Sequence, residues 1–176
     1  MTKTTLIKLG EEEHIILNLI SDIGTFVAML VAVAEFAVSI RRNRQDKHHA
    51  KCKDTLDAYS KLQVEVFDPL TMNFTRAQIV EIAEHYKKNA DEYHLLGTYT
   101  ARIEHFCVGV EKEIYDWETV YELSHGFFDG KIRNWIEPLM DKKSSFADFD
   151  PFENTRKVYD KMDKENEKRK NKRKKI

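Results

Sequence analysis

The chain has 176 residues, and its 29 Lys or Arg and 30 Asp or Glu nearly cancel to a net charge of -1. Its length fits one soluble domain plus one membrane span, and too few apolar runs remain for a polytopic protein. The near-neutral total hides a basic end: residues 161–176 carry nine Lys or Arg against three Asp or Glu, a balance of +6, leaving the first 160 residues at -7. Such a tail suits a solvated end, or one that binds anionic lipid or RNA.

The first predicted element is the strongest. From Ile15 to Ile40 there are 26 residues without Lys, Arg or Pro, followed at once by Arg41-Arg42-Asn43-Arg44. As a helix this run is roughly 39 Å long, enough to cross a hydrocarbon core of about 30 Å with some tilt. The preceding Glu11-Glu12-Glu13-His14 does not suit a signal peptide, so the segment is expected to stay attached. Residues 1–14 then form a short N-terminal segment, 15–40 a transmembrane helix, 41–160 a helical cytoplasmic domain and 161–176 the basic tail. Arg41, Arg42, Arg44, Lys47, Lys51 and Lys53 follow the span, against Lys3 and Lys8 before it. The positive-inside rule therefore predicts a single-pass membrane protein, N-terminus out and C-terminal domain in the cytoplasm. Two cysteines far apart, Cys52 and Cys107, agree with a reducing compartment.

The span is not uniformly apolar. A heptad places Asn18, Thr25, Ala32 and Ser39 at one position, with Ser21, Ala28 and Glu35 three residues on and Asp22 beside them. Intramembrane carboxylates usually face other helices or water. With Ala28 at the midplane, Asp22 and Glu35 lie roughly 9 to 10 Å to either side. Repeated around a homo-oligomeric ring they make two carboxylate rings, which favour cations, with Asn18, Ser21, Thr25, Ala28 and Ala32 leaving room for water. A non-conducting helix-pairing seam is the alternative reading of the same residues.

Behind the span, the absence of Gly and Pro from Arg41 to Phe67 predicts that the helix continues until Asp68-Pro69. A loop over Asp68 to Asn73 then leads to a helix over Thr75 to Asn89, with Ile79, Ile82, Ala83 and Tyr86 apolar. Asp91 suits the cap of a helix reaching about Val108, with Leu95, Tyr99, Ile103, Phe106 and Val110 as its stripe and Gly109 at its end. Asp116 reads as the N-cap of a helix from Trp117 to about His125. Gly126 to Met140 follows, with Pro138 expected to end or kink it. After a loop over Ser144 to Pro151, a final polar helix runs from Phe152 to about Lys168. No strand alternation occurs, so the fold class is all-α.

Catalytic signals are few. Arg42-Asn43-x4-His48 and Arg44-x4-His49 match the Arg/polar/His spacing of HEPN-type ribonucleases, in which Arg and His act together on the 2′-OH and the scissile phosphate. A basic stretch after a span also reads as a headgroup anchor. His48, His49, His85, His94, His105 and His125 form no H-E-x-x-H or Cys/His ligand pattern, so no metal or cofactor is expected. P-loop, dinucleotide and nucleophile-elbow motifs are absent as well.

Tyr99-Thr100-Ala101-Arg102-Ile103-Glu104-His105-Phe106-Cys107-Val108-Gly109-Val110, then Ile114-Tyr115-Asp116 and Trp117-x-x-Val120-Tyr121-Glu122-Leu123, resembles a family of small membrane-anchored proteins. Its plan is an apolar span, an Arg-rich collar, a Gly-to-Asp turn and a helix with Trp near its end, here Trp135. Within this plan the acidic span, the length and the Arg42 to His49 element are similar to the small membrane accessory proteins of type VI-B CRISPR systems. The resemblance implies an oligomeric membrane pore that strengthens antiviral defence by an RNA-guided, RNA-cleaving effector through loss of membrane potential. It also implies that the Arg42, Asn43, Arg44, His48 and His49 element is a divergent HEPN signature. Expected partners are copies of the chain itself, the lipid bilayer, a functional link to that effector, and RNA through the basic tail. The other readings are a membrane-tethered HEPN-like ribonuclease and a passive membrane-anchored adaptor.

Overall fold

A computed structural model describes the backbone of residues 3–144 and 150–173 and the side chains of 24–143 and 150–173. Among the described residues the fold is all-α, with no strand. The chain divides into two units, residues 1–47 and 48–176.

Helix α1 (Lys3–Leu62) begins well ahead of Ile15 and runs 60 residues without a break at Arg41. Nothing between Arg41 and Leu62 removes a backbone donor or favours a non-helical φ, so elongation continues. A π-helical turn, Gln63–Phe67, follows. It leads directly into α2 (Asp68–Asn73), so the predicted loop is a helix. Pro69 sits at the start of α2, where its missing N–H costs nothing, and the wider π turn relieves the clash of its ring with the preceding turn. The extra residue also turns Val66, Phe67 and Leu70 together into the core, all fully buried. Phe67 is the hub there, with ring centroids of Tyr59, Phe127 and Phe128 at 5.9, 5.8 and 5.5 Å.

Helix α3 (Arg76–Glu84) is closed at its start by a capping box between Thr75 and Gln78. It stops five residues before the predicted end. Helix α4 (Ala90–Glu111) is preceded by Asn89, and Asp91 lies in its first turn rather than at its cap. Its buried face includes Leu96, Thr100, Ile103, Phe106, Cys107 and Val110, so Ile103, Phe106 and Val110 of the expected stripe are buried, Tyr99 is half-buried and Leu95 is 43% exposed. That face includes Thr100, whose hydroxyl donates to Gly97 O at 3.0 Å. Gly109 does not end α4. The ring of Tyr115 lies 2.3 Å from where a Cβ would stand, so the glycine gives room for that ring to stack on Phe106.

Asp116 caps α5 (Trp117–Ser124) as expected, its side chain accepting from the Thr119 N–H. Gly126, with φ at +89°, reverses the chain into a second π-helical turn, Phe127–Ile132, and α6 (Arg133–Ser144). Pro138 lies inside α6 without ending it. Proline has no N–H to offer the Asn134 carbonyl, and Arg76 Nε donates to that oxygen at 3.2 Å.

Helix α7 (Glu153–Arg173) extends beyond Lys168 into the basic tail. It packs on α4, as α3 does on α6. Glu104 of α4 fixes its start. Glu104 Oε1 accepts from the Asn154 N–H and Nδ2 at 3.1 and 2.7 Å, and Oε2 from the Thr155 N–H and Oγ1 at 2.9 and 2.6 Å. A carboxylate from another helix thus caps α7 and meets the positive end of its dipole. Farther along, Met162 is buried, and Arg169 pairs with Glu118 and Glu122 at 2.6 Å each while lying over the Tyr121 ring. This part of the tail is therefore docked helix, not free chain. The predicted loop at Ser144 to Pro151 lies mostly outside the described residues.

Candidate functional site

The apolar part of α1 is unlike any other helix face in the chain. Phe26 is 60% exposed and Phe36 69%, and Met29, Leu30, Val31 and Val33 are similarly open. No part of its apolar window is buried within the chain. Among the described residues one helix, near the N-terminus, is long and apolar enough to cross a membrane.

Of the expected pore-lining residues, Asn18, Ser21 and Asp22 lie outside the described side chains. Thr25, Ala28, Ala32 and Glu35 are exposed on α1. Their spacing alternates by three and four, which keeps them near one face of the α-helix, drifting by about 20° per heptad. The stripe does not stop at the end of the apolar run. A shallow groove along α1 is lined by Glu35, Ser39, Arg42 and Asp46, with Ala34, Val38 and Asn43 at its sides. The same alternation therefore carries small and polar groups from Thr25 to Asp46, with Arg42 two turns beyond Glu35.

The HEPN-like residues divide differently from their sequence motif. Arg42, Asn43 and Arg44 belong to the first unit and are exposed, whereas His48 and His49 belong to the second. His48 faces Cys52 and Asp116, and the His49 ring centroid lies 6.3 Å from its own. His48 Nδ1 lies 3.7 Å from Cys52 Sγ and 3.6 Å from Asp116 Oδ1. Cys52 sits one turn along α1, and Asp116 arrives from the start of α5. Asp116 Oδ2 is engaged by the Thr119 N–H and Oγ1 at 2.9 and 2.8 Å, which leaves Oδ1 toward His48. The Asp116 N–H donates to Thr55 Oγ1 at 2.8 Å, and that hydroxyl donates to Lys51 O at 2.7 Å. Burial works to raise the Asp116 carboxyl, but the Thr119 hydrogen bonds, with His48 and Lys51 nearby, hold it below the usual carboxylate range.

Sequence reasoning took His48 as part of an Arg/His pair and Asp116 as a cap. Cys52 and the convergence of all three were missed, because Asp116 is far from the other two in the chain. The His-x3-Cys spacing on a helix was the available signal for two of them.

The motif around Glu104 and Gly109 has structural work: Glu104 caps α7, Gly109 admits Tyr115, and Asp116 caps α5. Cys107, on the same helix, is fully buried, and burial pushes its thiol well up, so it is inert. Comparison with protein-family models, curated proteins and solved structures finds no match to this chain.

Proposed function

We propose that this chain is the single-pass subunit of a homo-oligomeric membrane pore, with the span at its N-terminal end and the helical unit in the cytoplasm. The observation that carries the reading is the two-sided helix: an exposed apolar surface on α1 interrupted by one stripe of Thr25, Ala28, Ala32, Glu35, Ser39, Arg42 and Asp46. Covering a side chain the size of Phe26 or Leu30 is worth about 1.5–3 kcal/mol, so the apolar face drives α1 into lipid by well over ten kcal/mol in sum. Glu35 opposes this by a few kcal/mol if it faces lipid. Packing copies of the stripe around an axis removes that cost and leaves small side chains and a carboxylate ring around water. The basic collar after the span favours a cytoplasmic C-terminal unit. The sequence resemblance supplies the setting: depolarisation of the membrane in support of antiviral defence by an RNA-guided, RNA-targeting effector.

The test is membrane potential in bacterial cells expressing the full chain, read with a voltage-sensitive dye at matched membrane abundance. The native chain is expected to depolarise, and the Asp22→Leu, Glu35→Leu double variant to lose that effect. Equal depolarisation by the variant, or a monomer by native mass measurement in detergent, removes the ring. RNA cleavage by the purified chain that disappears in His48→Ala and His49→Ala would favour the ribonuclease instead.

A further inference from the structure

We infer that His48, Cys52 and Asp116 form a binding site for a thiophilic divalent metal ion of the zinc type, with an open fourth position.

All three donor atoms lie within 4.8 Å of one another. A His–carboxylate hydrogen bond closes to about 2.8–3.0 Å. Here Nδ1 and Oδ1 stand 3.6 Å apart. Around a tetrahedral zinc, ligand bonds of about 2.0–2.1 Å for N and O and 2.3 Å for S put N and O about 3.3 Å apart, and N and S about 3.6 Å apart. The 3.6 and 3.7 Å found between Nδ1 and its two neighbours are close to those spacings.

Sγ lies 3.7 Å from Nδ1 and 3.9 Å from Nε2 of the same ring, so the sulfur stands beside the imidazole, and a rotation of the exposed His48 side chain turns one nitrogen toward an ion shared with Cys52 and Asp116.

The supports fit as well. Asp116 is oriented by Thr119 through its other oxygen, as metal-ligating carboxylates generally are. Thr55 ties the Asp116 backbone to α1, so the ligands sit on fixed elements. Cys52 is half-buried and His48 has a 61% exposed side chain, so an ion has a path of entry. A thiolate and a carboxylate balance the charge of a divalent ion, with His48 neutral. Lys51, the cation acting on Asp116, is the neighbour that competes for its charge.

The experiment uses the tag-free full chain in detergent with its thiols reduced. Zn²⁺ is titrated against a chromophoric chelator, and Co²⁺ is added separately as a spectroscopic probe. Expected results are one ion per chain, a near-ultraviolet thiolate-to-cobalt charge-transfer band, and protection of Cys52 from alkylation by Zn²⁺. Cys52→Ser should abolish the band, and His48→Ala and Asp116→Asn should each weaken binding by about tenfold or more. Continued inaccessibility of Cys107 reports that each variant is folded. Absence of the band, binding unchanged in folded Cys52→Ser, or alkylation of Cys52 unaffected by Zn²⁺ overturns the site. None of these readouts depends on conduction, so the site and the pore stand or fall separately.

Discussion

Replacing Glu104 with Ala removes the cap of α7 without touching α7 itself. Four donors lose their acceptor: the backbone N–H groups of Asn154 and Thr155, the Asn154 amide and the Thr155 hydroxyl. Hydrogen bonds to a charged group contribute about 1.5–3 kcal/mol each, though they are not additive. Thr155 is fully buried with Glu104 in place, so its N–H and hydroxyl are poorly placed to reach water when Glu104 is gone. Leaving two buried donors unmade costs about 1–3 kcal/mol apiece, and the lost charge at the helix start adds up to about 1 kcal/mol. A destabilisation of about 3–4 kcal/mol follows, which for a unit of this size is a fall in Tm of about 10 °C. Glu104→Gln should fall between, since one oxygen is replaced by an amide that meets a donor. The assay is thermal unfolding of the detergent-solubilised chain, with amide exchange at Asn154, Thr155 and Arg156 as the local readout. A Glu104→Ala protein melting within about 2 °C of the native one, with those amides equally protected, would refute the capping argument.

Gly109→Ala should destabilise by about 1–3 kcal/mol despite the better helix propensity of alanine, because the new Cβ meets the Tyr115 ring. Urea unfolding measures this, and the penalty should shrink in a Tyr115→Ala background. Met162→Ala should cost about 2–5 kcal/mol by opening a cavity under α7, seen as a lower urea midpoint together with faster tryptic cleavage of that helix. The Asp116 carboxyl is held below its ordinary value in the folded chain, so its contribution is complete above about pH 4, the unfolded value, and is lost as pH falls through the folded one. Acid titration of Asp116→Asn should therefore show a shallower loss of stability below about pH 4 than the native chain. Iodoacetamide should add once to the native, metal-free chain, at Cys52, and reach Cys107 only on unfolding, as mass spectrometry of tryptic peptides will show.

What the sequence determined by itself are the features that act over a few residues. The apolar run and its stripe on α1, the Asp116 cap and the all-helical class follow from periodicity, charge placement and side-chain reach within one turn. The tertiary structure decided whatever depends on a partner far along the chain. Pro69 starts a helix because a π turn precedes it, and Pro138 stays inside one because Arg76 serves the carbonyl it frees. Gly109 is set by Tyr115 and the start of α7 by Glu104, while the basic tail is held by Met162 and Arg169 against a charge pattern that suggested a free end. The convergence of His48, Cys52 and Asp116 is of the same kind. His48 and Cys52 lie one turn apart on α1, which by itself singles out no site, and only Asp116 at the start of α5 brings the third donor, because contact between distant segments leaves no periodic trace in either.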